Sequence, residues 1–238
     1  MIQTKSLEGT VVKAPTMRDE ERMYSLLTQY FEGYERNNFA ADLANKDGVV
    51  LLRDDEGEVQ GFTTFQMLKA TVQGQAVRGV FSGDTIVDKA YWGQSELAGV
   101  WSRHMLGVAQ ESNDSLYWFL ICSGYKTYRF LPTFFKEYYP RHDAPTPELD
   151  QQILDTFAQQ KFGAAYDKER GLVTFTHSSE RLKPGVADVT EQKLVNPHIR
   201  FFNERNPEHL SGIELACLTR VSKENYHARA LRMIGYID

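Results

Sequence analysis

The sequence predicts a mixed α/β fold in which a mostly antiparallel central sheet is flanked by helices. Three observations indicate it: a helical stripe of apolar residues within 19–34, two strand-like runs at 49–53 and 59–68, and a continuously apolar run at 116–122. The chain has 238 residues, of which 42% are apolar and 25% charged. This composition supports a sizeable core and disfavours a disordered, collagen-like or coiled-coil chain.

The elements before residue 90 follow from apolar spacing and turn residues. The charged turn between the two strand-like runs carries Gly57 where a positive φ is needed, so the runs are expected to pair as an antiparallel hairpin. A third strand at 76–87 contains Gly79 and Gly83, and glycine inside a strand often marks a bulge or a close approach. The spacing further predicts a strand at 9–14 and helices at 19–34 and 39–45.

The elements after residue 90 begin with a helix over 95–108, for which Ser95 is a suitable N-cap. The run at 116–122 is expected to be a strand buried on both faces. The aromatic segment 125–139 is interpreted as a helix with a complication at Pro132, which removes a backbone donor. The remaining pattern predicts helices at 148–162, 199–204 and 223–234 and strands at 172–176 and 213–221.

Charge, hydropathy and cysteine content exclude several classes of protein. With 27 basic and 32 acidic residues the net charge is -5, which argues against nucleic-acid binding through phosphate neutralisation. The longest apolar run is far shorter than the roughly 20 residues of a membrane span, and the polar start lacks a secretory signal, so a cytoplasmic location is expected. Cys122 and Cys217 form no CxxC pair, which disfavours a disulfide framework or a zinc site and predicts two core residues.

The order of these elements, together with residues 83–98, resembles the GNAT-type N-acyltransferase superfamily. In that family an Arg/Gln-x-x-Gly-x-Gly/Ala loop opens a helix, and its backbone amides receive the coenzyme A pyrophosphate. A helix N-terminus binds anions because its first N–H groups and its dipole point at them. Here Ser95 and Leu97 replace the small residues, so the loop is a degenerate version. The resemblance implies that the coenzyme is bound by Ile86, Val87, Trp92, Gly93, Gln94, Ser95 and Glu96.

The resemblance also implies a reaction: direct transfer of an acyl group from an acyl-CoA or acyl-carrier-protein thioester to a small-molecule amine, without a metal. Such a transfer needs a base for the amine and an acid for the thiolate. Asp84, beside a glycine, is the candidate base, and Ser123, where the strands should separate, would orient substrate or relay a proton. Tyr128 is the candidate acid, because a phenol is protonated at neutral pH. Each residue also has a purely structural alternative. Asp84 would be a carboxylate bonded to neighbouring backbone at a bulge, Ser123 a turn residue, and Tyr128 a ring packed in an aromatic cluster.

Two further features bear on the substrates. Aromatic residues are concentrated in 116–139, which is typical of a core and also suits an apolar tunnel for an acyl group longer than acetyl. Lys126, Arg129 and Lys136 form a basic cluster that suits an acidic carrier protein or the coenzyme's phosphates, or else a solvated face.

The chain is expected to divide into an acyltransferase core at 1–144 and an extension at 145–238 that packs on the core and completes the acceptor side of the cleft. A second function stays open beside the enzyme. A non-catalytic acyl-thioester-binding or regulatory protein on the same scaffold is favoured by the degenerate loop.

Overall fold

The computed structural model describes residues 6–175 and 180–237. Its strands are β1 Glu8–Val12, β2 Phe31–Glu32, β3 Gly48–Arg53, β4 Val59–Val72, β5 Gln75–Val87, β6 Ser115–Cys122, β7 Tyr166–Asp167, β8 Leu172–Val173, β9 Arg181–Leu182 and β10 Glu214–Arg220. Its α-helices are α1 Met17–Tyr30, α2 Arg36–Ala44, α3 Glu96–Gln110, α4 Tyr125–Tyr128, α5 Phe130–Phe134, α6 Glu148–Phe162, α7 Glu191–Leu194, α8 Pro197–Arg205 and α9 Ala228–Met233.

One large sheet organises the molecule. Its strand order is β1-β3-β4-β5-β6-β10-β8-β7, and every neighbouring pair is antiparallel except β5 and β6. A parallel pair needs a crossover connection, and α3 supplies it. The predicted fold class, a mixed and mostly antiparallel sheet flanked by helices, is confirmed.

The two faces of the sheet pack against different helices because successive strand residues point to opposite sides. In β3, Val50 and Leu52 pack in the cluster that includes Trp101 of α3, whereas Val49 and Leu51 pack in the cluster that α1 and α2 complete. Further along the sheet, α6 covers the same face as α1. We call these the α3 face and the α1 face.

The start of α1 shows how local sequence sets an element. Thr16 caps the helix: its hydroxyl accepts from the Asp19 N–H, and the Asp19 carboxylate accepts from the Thr16 N–H. Asp19 also pairs with Arg53 at 2.8 Å, which fixes α1 to the end of β3. The Arg53 guanidinium lowers the pKa of this carboxyl to about 2.

The predicted hairpin and the predicted bulge are both present. Gly57 has φ 78° in the turn between β3 and β4. In the β4–β5 pair, Phe65 lies opposite Ser82 and Thr63 opposite Thr85, so that Thr64 faces two residues of β5. These two residues are Gly83 and Asp84, and the bulge turns both toward the α1 face.

β5 and β6 separate at their ends. Their parallel pairing runs from Val77 and Ser115 to Ser82 and Leu120 and then stops, although both strands continue. Beyond this point β5 stays paired with β4 as far as Val87, and β6 stays paired with β10. Each strand therefore follows its other neighbour, and a gap opens between them.

Two helix predictions were wrong for a shared reason. The segment 125–139 forms only α4 and α5 before it becomes extended, and the predicted helix at 223–234 is a 3₁₀ turn at Lys223–Asn225 followed by α9. The extended parts pair with each other: the Lys136 N–H donates to Asn225 O at 2.8 Å, and the His227 N–H donates to Phe134 O at 2.9 Å. Tertiary hydrogen bonds thus replace the helical bonds that apolar spacing suggested.

The chain after residue 145 adds to the same sheet. β10 pairs with β6 along Leu215–Arg220, and β8 and β7 continue outward. Helix α6 has the predicted bounds. Of the strand predicted at 172–176, Leu172–Val173 is observed, and residue 176 lies outside the described residues. No helix in the described part of the chain is long and apolar enough to cross a membrane.

Candidate functional site

The gap between β5 and β6 opens into two adjoining cavities. The first, of about 450 Å³, is called here the inner cavity, and the second, of about 370 Å³, the outer cavity. Both are bounded by the gap, since they share lining residues from the ends of both strands and from α3. The shared residues are Phe31, Thr85, Leu97, Ala98, Ser123, Thr127 and Phe130.

The outer cavity holds most of the residues predicted to bind coenzyme. Ile86, Val87, Trp92, Gly93 and Gln94 line it. Of the other two predicted residues, Ser95 sits at the N-cap of α3 without a capping side-chain bond, and Glu96 is exposed in the first helical turn. Neither residue is among those that line the cavity, whereas Leu97 and Ala98 of the same helix are.

Trp92 forms one wall of the outer cavity. Its indole Nε1–H donates to Val87 O at 2.8 Å, and Lys126 Nζ lies 3.7 Å from the ring centroid. A cation over an indole face is attracted by the ring quadrupole. Burial, together with the charges of Lys193 and Lys89, lowers the pKa of Lys126. Lys126 therefore lines the cavity with two further positive charges in its neighbourhood, which favours a negatively charged ligand.

The two strand residues predicted to offer backbone amides face different ways. The Asp88 N–H donates to Gln60 O at 2.8 Å, so Ile86, two residues earlier, also directs its N–H and C=O toward β4. Val87 lies between them, so its backbone groups point to the gap, where its C=O already accepts from the Trp92 indole N–H and its N–H faces the cavity. Of the pair, Val87 alone is oriented toward a ligand in the gap.

Asp84 lies in the inner cavity, at the bulge of β5. The Tyr34 hydroxyl donates to its Oδ1 at 3.2 Å. Burial, reinforced by the negative charge of Asp42, raises the pKa of Asp84 to about 6, although Lys46 and the Tyr34 hydrogen bond act in the opposite direction. The carboxyl predicted as a base thus titrates close to neutral pH.

Glu214 is a second carboxyl in the inner cavity, and the sequence reasoning missed it. Burial raises its pKa to about 7, the charges of Asp84 and Glu180 act in the same direction, and a hydrogen bond from Ser123 opposes them. The available signal was a single charge at the start of an apolar strand that reads Glu-Leu-Ala-Cys-Leu. Ser123, predicted from its place after β6, lines both cavities and contacts this carboxyl.

Two lysines, also missed from the sequence, complete the charged side of the inner cavity. Lys46 Nζ lies 2.7 Å from Asp42 Oδ2 and 5.5 Å from the Phe81 ring centroid. Lys161, on α6, approaches the same ring at 5.0 Å. Gly83 makes room for this arrangement: a Cβ there would lie 3.0 Å from Lys46 Nζ and 2.6 Å from Thr64 Oγ1.

The opposite end of the inner cavity is aromatic and lies on the α3 face. Trp101, Trp118, Phe134 and Phe135 line it. The Trp118 Nε1–H donates to Ser82 Oγ at 2.8 Å, whereas the buried Trp101 Nε1 has no hydrogen-bond partner among the described residues. The cavity therefore passes through the sheet, from a charged end on the α1 face to an aromatic end.

Tyr128, predicted as the acid, is not brought to either cavity. Its side chain is fully buried among other aromatic rings, and its hydroxyl donates to Pro140 O at 2.9 Å. Burial also raises the pKa of this phenol. In the predicted basic cluster, Lys126 lines the outer cavity, whereas Lys136 Nζ donates to Glu224 O at 2.6 Å elsewhere on the surface. Arg129 lines neither cavity.

No family model matches the sequence, and no curated protein matches it. Several solved structures do match this chain. A GNAT-family N-acetyltransferase from Escherichia coli, in complex with CoA, is 22% identical over 54% of this chain and 69% of its own length, with a TM-score of 0.38. A probable N-acyltransferase from Enterococcus faecalis is 12% identical over 56% of this chain, which spans 33% of that protein, with a TM-score of 0.41. The glucosamine-6-phosphate N-acetyltransferase from Arabidopsis thaliana is 12% identical over 48% of this chain and 82% of its own length, with a TM-score of 0.37.

The element order, the one parallel strand pair seen in the described sheet and the gap at its end agree with the resemblance found in the sequence. At these identities and TM-scores the likeness settles neither fold family nor activity nor substrate. The cavities lie where β5 and β6 separate, which is where the sequence placed the candidate site.

Proposed function

We propose that this chain is an N-acyltransferase that moves an acyl group from an acyl-CoA or acyl-carrier-protein thioester to an amine by direct attack. One observation carries the proposal. A gap between two strands joins an outer cavity lined by Lys126 to an inner cavity that contains two carboxyls of raised pKa, Asp84 and Glu214. An anionic carrier and a cationic acceptor can thus meet from opposite sides.

In the proposed reaction the amine nitrogen bonds to the thioester carbonyl carbon, the C–S bond breaks, the amine loses a proton and the thiolate gains one. The best general base has a pKa near the working pH. Glu214, at about 7, meets that condition, and Ser123 connects it to the point where the cavities join. The acceptor would enter as an ammonium held by Asp84, and Ser123 would relay one of its protons to Glu214, which frees the nitrogen lone pair for attack. The proton that the nitrogen loses after the C–N bond forms would pass to the departing thiolate.

The outer cavity would hold the thioester carrier. Val87 would offer its backbone N–H to the gap, and Trp92, Gly93 and Gln94 form the wall beside the start of α3. The first N–H groups of a helix have no partner within that helix, so they can receive a phosphate. Lys126 adds positive charge at the mouth, which suits a phosphorylated pantetheine arm. Tyr128 has no part in this proposal.

The test measures thiol release and product mass with purified protein, a panel of acyl-CoA donors and a panel of amines. We expect turnover that falls about a hundredfold in kcat for Glu214→Gln, because a positioned base contributes roughly 10²–10⁴-fold. Glu204→Gln, an exposed change on α8, is the matched control and should behave as the parent. Full activity of the Glu214→Gln variant would contradict the role of this carboxyl.

A binding or regulatory protein is the second candidate, and one observation favours it: Glu96 places a negative charge in the first turn of α3, where a phosphate would bind. Calorimetry separates the two functions. Binding of acyl-CoA or of an acylated carrier protein without thiol release, together with unchanged binding by Asp84→Asn and Glu214→Gln, would establish the second function.

A further inference from the structure

The proposed acyl transfer assigns no role to the two lysines of the inner cavity, Lys46 and Lys161. Lys46 follows α2 and Lys161 belongs to α6, so they reach the Phe81 ring from distant parts of the chain. Only 2% of the Lys46 side chain is exposed. Burial lowers the pKa of Lys161, with a further contribution from the charge of Lys46. A partly buried ammonium group is costly unless an anion accompanies it.

The positive charges are only partly balanced. Lys46 has Asp42 at 2.7 Å, but Lys161 donates to a neutral partner, Gln66 Oε1, at 2.7 Å. Within the described ranges no carboxylate lies within 4.0 Å of the Lys161 ammonium. The Lys161 ammonium is therefore the group best placed to receive an anionic group of a ligand, and a single positive charge suits one singly charged anion better than a doubly charged phosphate.

Four carboxyl groups line the same cavity, those of Asp42, Asp84, Glu180 and Glu214. Burial raises the pKa of Asp84, and the charge of Asp42 acts in the same direction while Lys46 opposes it; burial also raises the pKa of Glu214, reinforced by the charges of Asp84 and Glu180. A bound ammonium would relieve both effects. The remaining wall is apolar and aromatic, with Phe31, Phe39, Phe162 and Phe175 among its lining residues.

We infer that the acceptor is a zwitterion, a small amino acid-like molecule with an apolar side chain, whose ammonium faces Asp84 and Glu214 and whose carboxylate faces Lys46 and Lys161. This inference rests on the proposed function, because it names the acceptor of the same site. It also explains why both charge signs occur in a single cavity of about 450 Å³.

The experiment compares three matched acceptors: phenylalanine, its methyl ester, and phenethylamine, which lacks the carboxylate. We expect kcat/KM for phenylalanine to exceed that for the other two at least tenfold. Lys161→Met should remove most of this preference and leave the ester and the amine within about twofold of the parent. Lys161→Arg should retain the preference, and Lys69→Met, an exposed change on β4, should alter nothing.

A second readout does not need turnover. A ligand that binds the folded state raises its melting temperature. Phenylalanine should stabilise the parent and the Lys69→Met variant but not Lys161→Met, and phenethylamine should stabilise none of them to the same extent.

The outcomes separate the inference from the proposed function. Acylation of all three compounds with equal kcat/KM would contradict the inference of a zwitterionic acceptor and would support the proposed acyltransferase activity. If phenylalanine stabilises the protein in a way that depends on Lys161 but no donor acylates it, the result would support a zwitterion-binding site and contradict the proposed enzymatic activity. Equal loss of activity on all three acceptors in Lys161→Met would show a structural lysine and overturn the inference.

Discussion

The two ends of the inner cavity differ although they belong to the same strands. On the α3 face the lining is aromatic, with Trp101 and Trp118, and on the α1 face it carries carboxylates and ammonium groups, among them Asp84 and Lys46. The difference comes from strand geometry. Alternation sends Ser82 to one face, and the bulge then sends Gly83 and Asp84 together to the other. One extra residue in β5 therefore places the Asp84 carboxyl at the α1 end rather than the aromatic end.

The largest expected effect concerns pH and the charged end. Glu214 and Asp84 have raised pKa values of about 7 and about 6, so both lose their charge as the pH falls from 7.5 to 5. A base must be unprotonated, so kcat/KM should fall about a hundredfold over this range. The apparent pKa values read from the profile describe the coupled pair of carboxyls rather than either residue alone. Glu214→Gln should flatten the acid limb of the profile. A limb of the same shape in that variant would contradict the role of Glu214.

The next effect concerns the bulge itself. Gly83→Ala should lower the free energy of unfolding by about 2 kcal/mol, because the new Cβ would meet Thr64 Oγ1 at 2.6 Å and overpacking typically costs about 1–3 kcal/mol. Gly107→Ala is the matched control. A Cβ at Gly107 meets nothing within 4 Å, and alanine favours the helix, so this change should stabilise by up to about 1 kcal/mol. Urea denaturation measures both.

A third effect is a gain in stability at the cost of function. The folded-state pKa of Asp84, about 6, lies above its usual value of 3.8, so ionisation destabilises the fold increasingly as the pH rises through 6. Asp84→Asn should therefore stabilise the protein by about 2 kcal/mol at pH 8 and by much less at pH 4. Denaturant midpoints at both pH values test this prediction. A constant difference would mean that the carboxyl is not strained by burial.

The smallest effect concerns the aromatic end. Trp101→Leu should enlarge that end and shift the preferred acyl donor toward longer chains by about threefold, since one or two methylenes are worth little in an apolar pocket. Acceptor preference should stay unchanged, because the charged end lies on the other face. Competition between acetyl-CoA and longer acyl-CoA donors is the measurement. A change in acceptor preference instead would show that the two ends are not independent.

The sequence predicted the fold well because its signals are local. The charged turn with Gly57 predicted the hairpin, the glycines of β5 predicted the bulge, and the apolar run at 116–122 predicted β6. Helix predictions failed at 125–139 and 223–234 because distant backbone segments hydrogen bond to each other there, which periodicity cannot reveal.

The site was predicted only in part, again for a physical reason. Asp84 and Ser123 adjoin features that the chain itself marks, a glycine bulge and a strand end. Glu214, Lys46 and Lys161 come from three separate elements, and only the folded sheet brings them into one cavity. Tyr128 showed the reverse: its position in the sequence suited an acid, yet the packing of α4 turned it toward Pro140.

The pairing of β10 with β6 has a consequence for how the protein can be handled. A chain shortened after residue 144 would lose Glu214 and would leave β6, which reads Ser-Leu-Tyr-Trp-Phe-Leu-Ile-Cys, with an uncovered edge. Open, flat and apolar strand edges recruit other chains. Such a fragment should aggregate rather than survive as a smaller soluble unit.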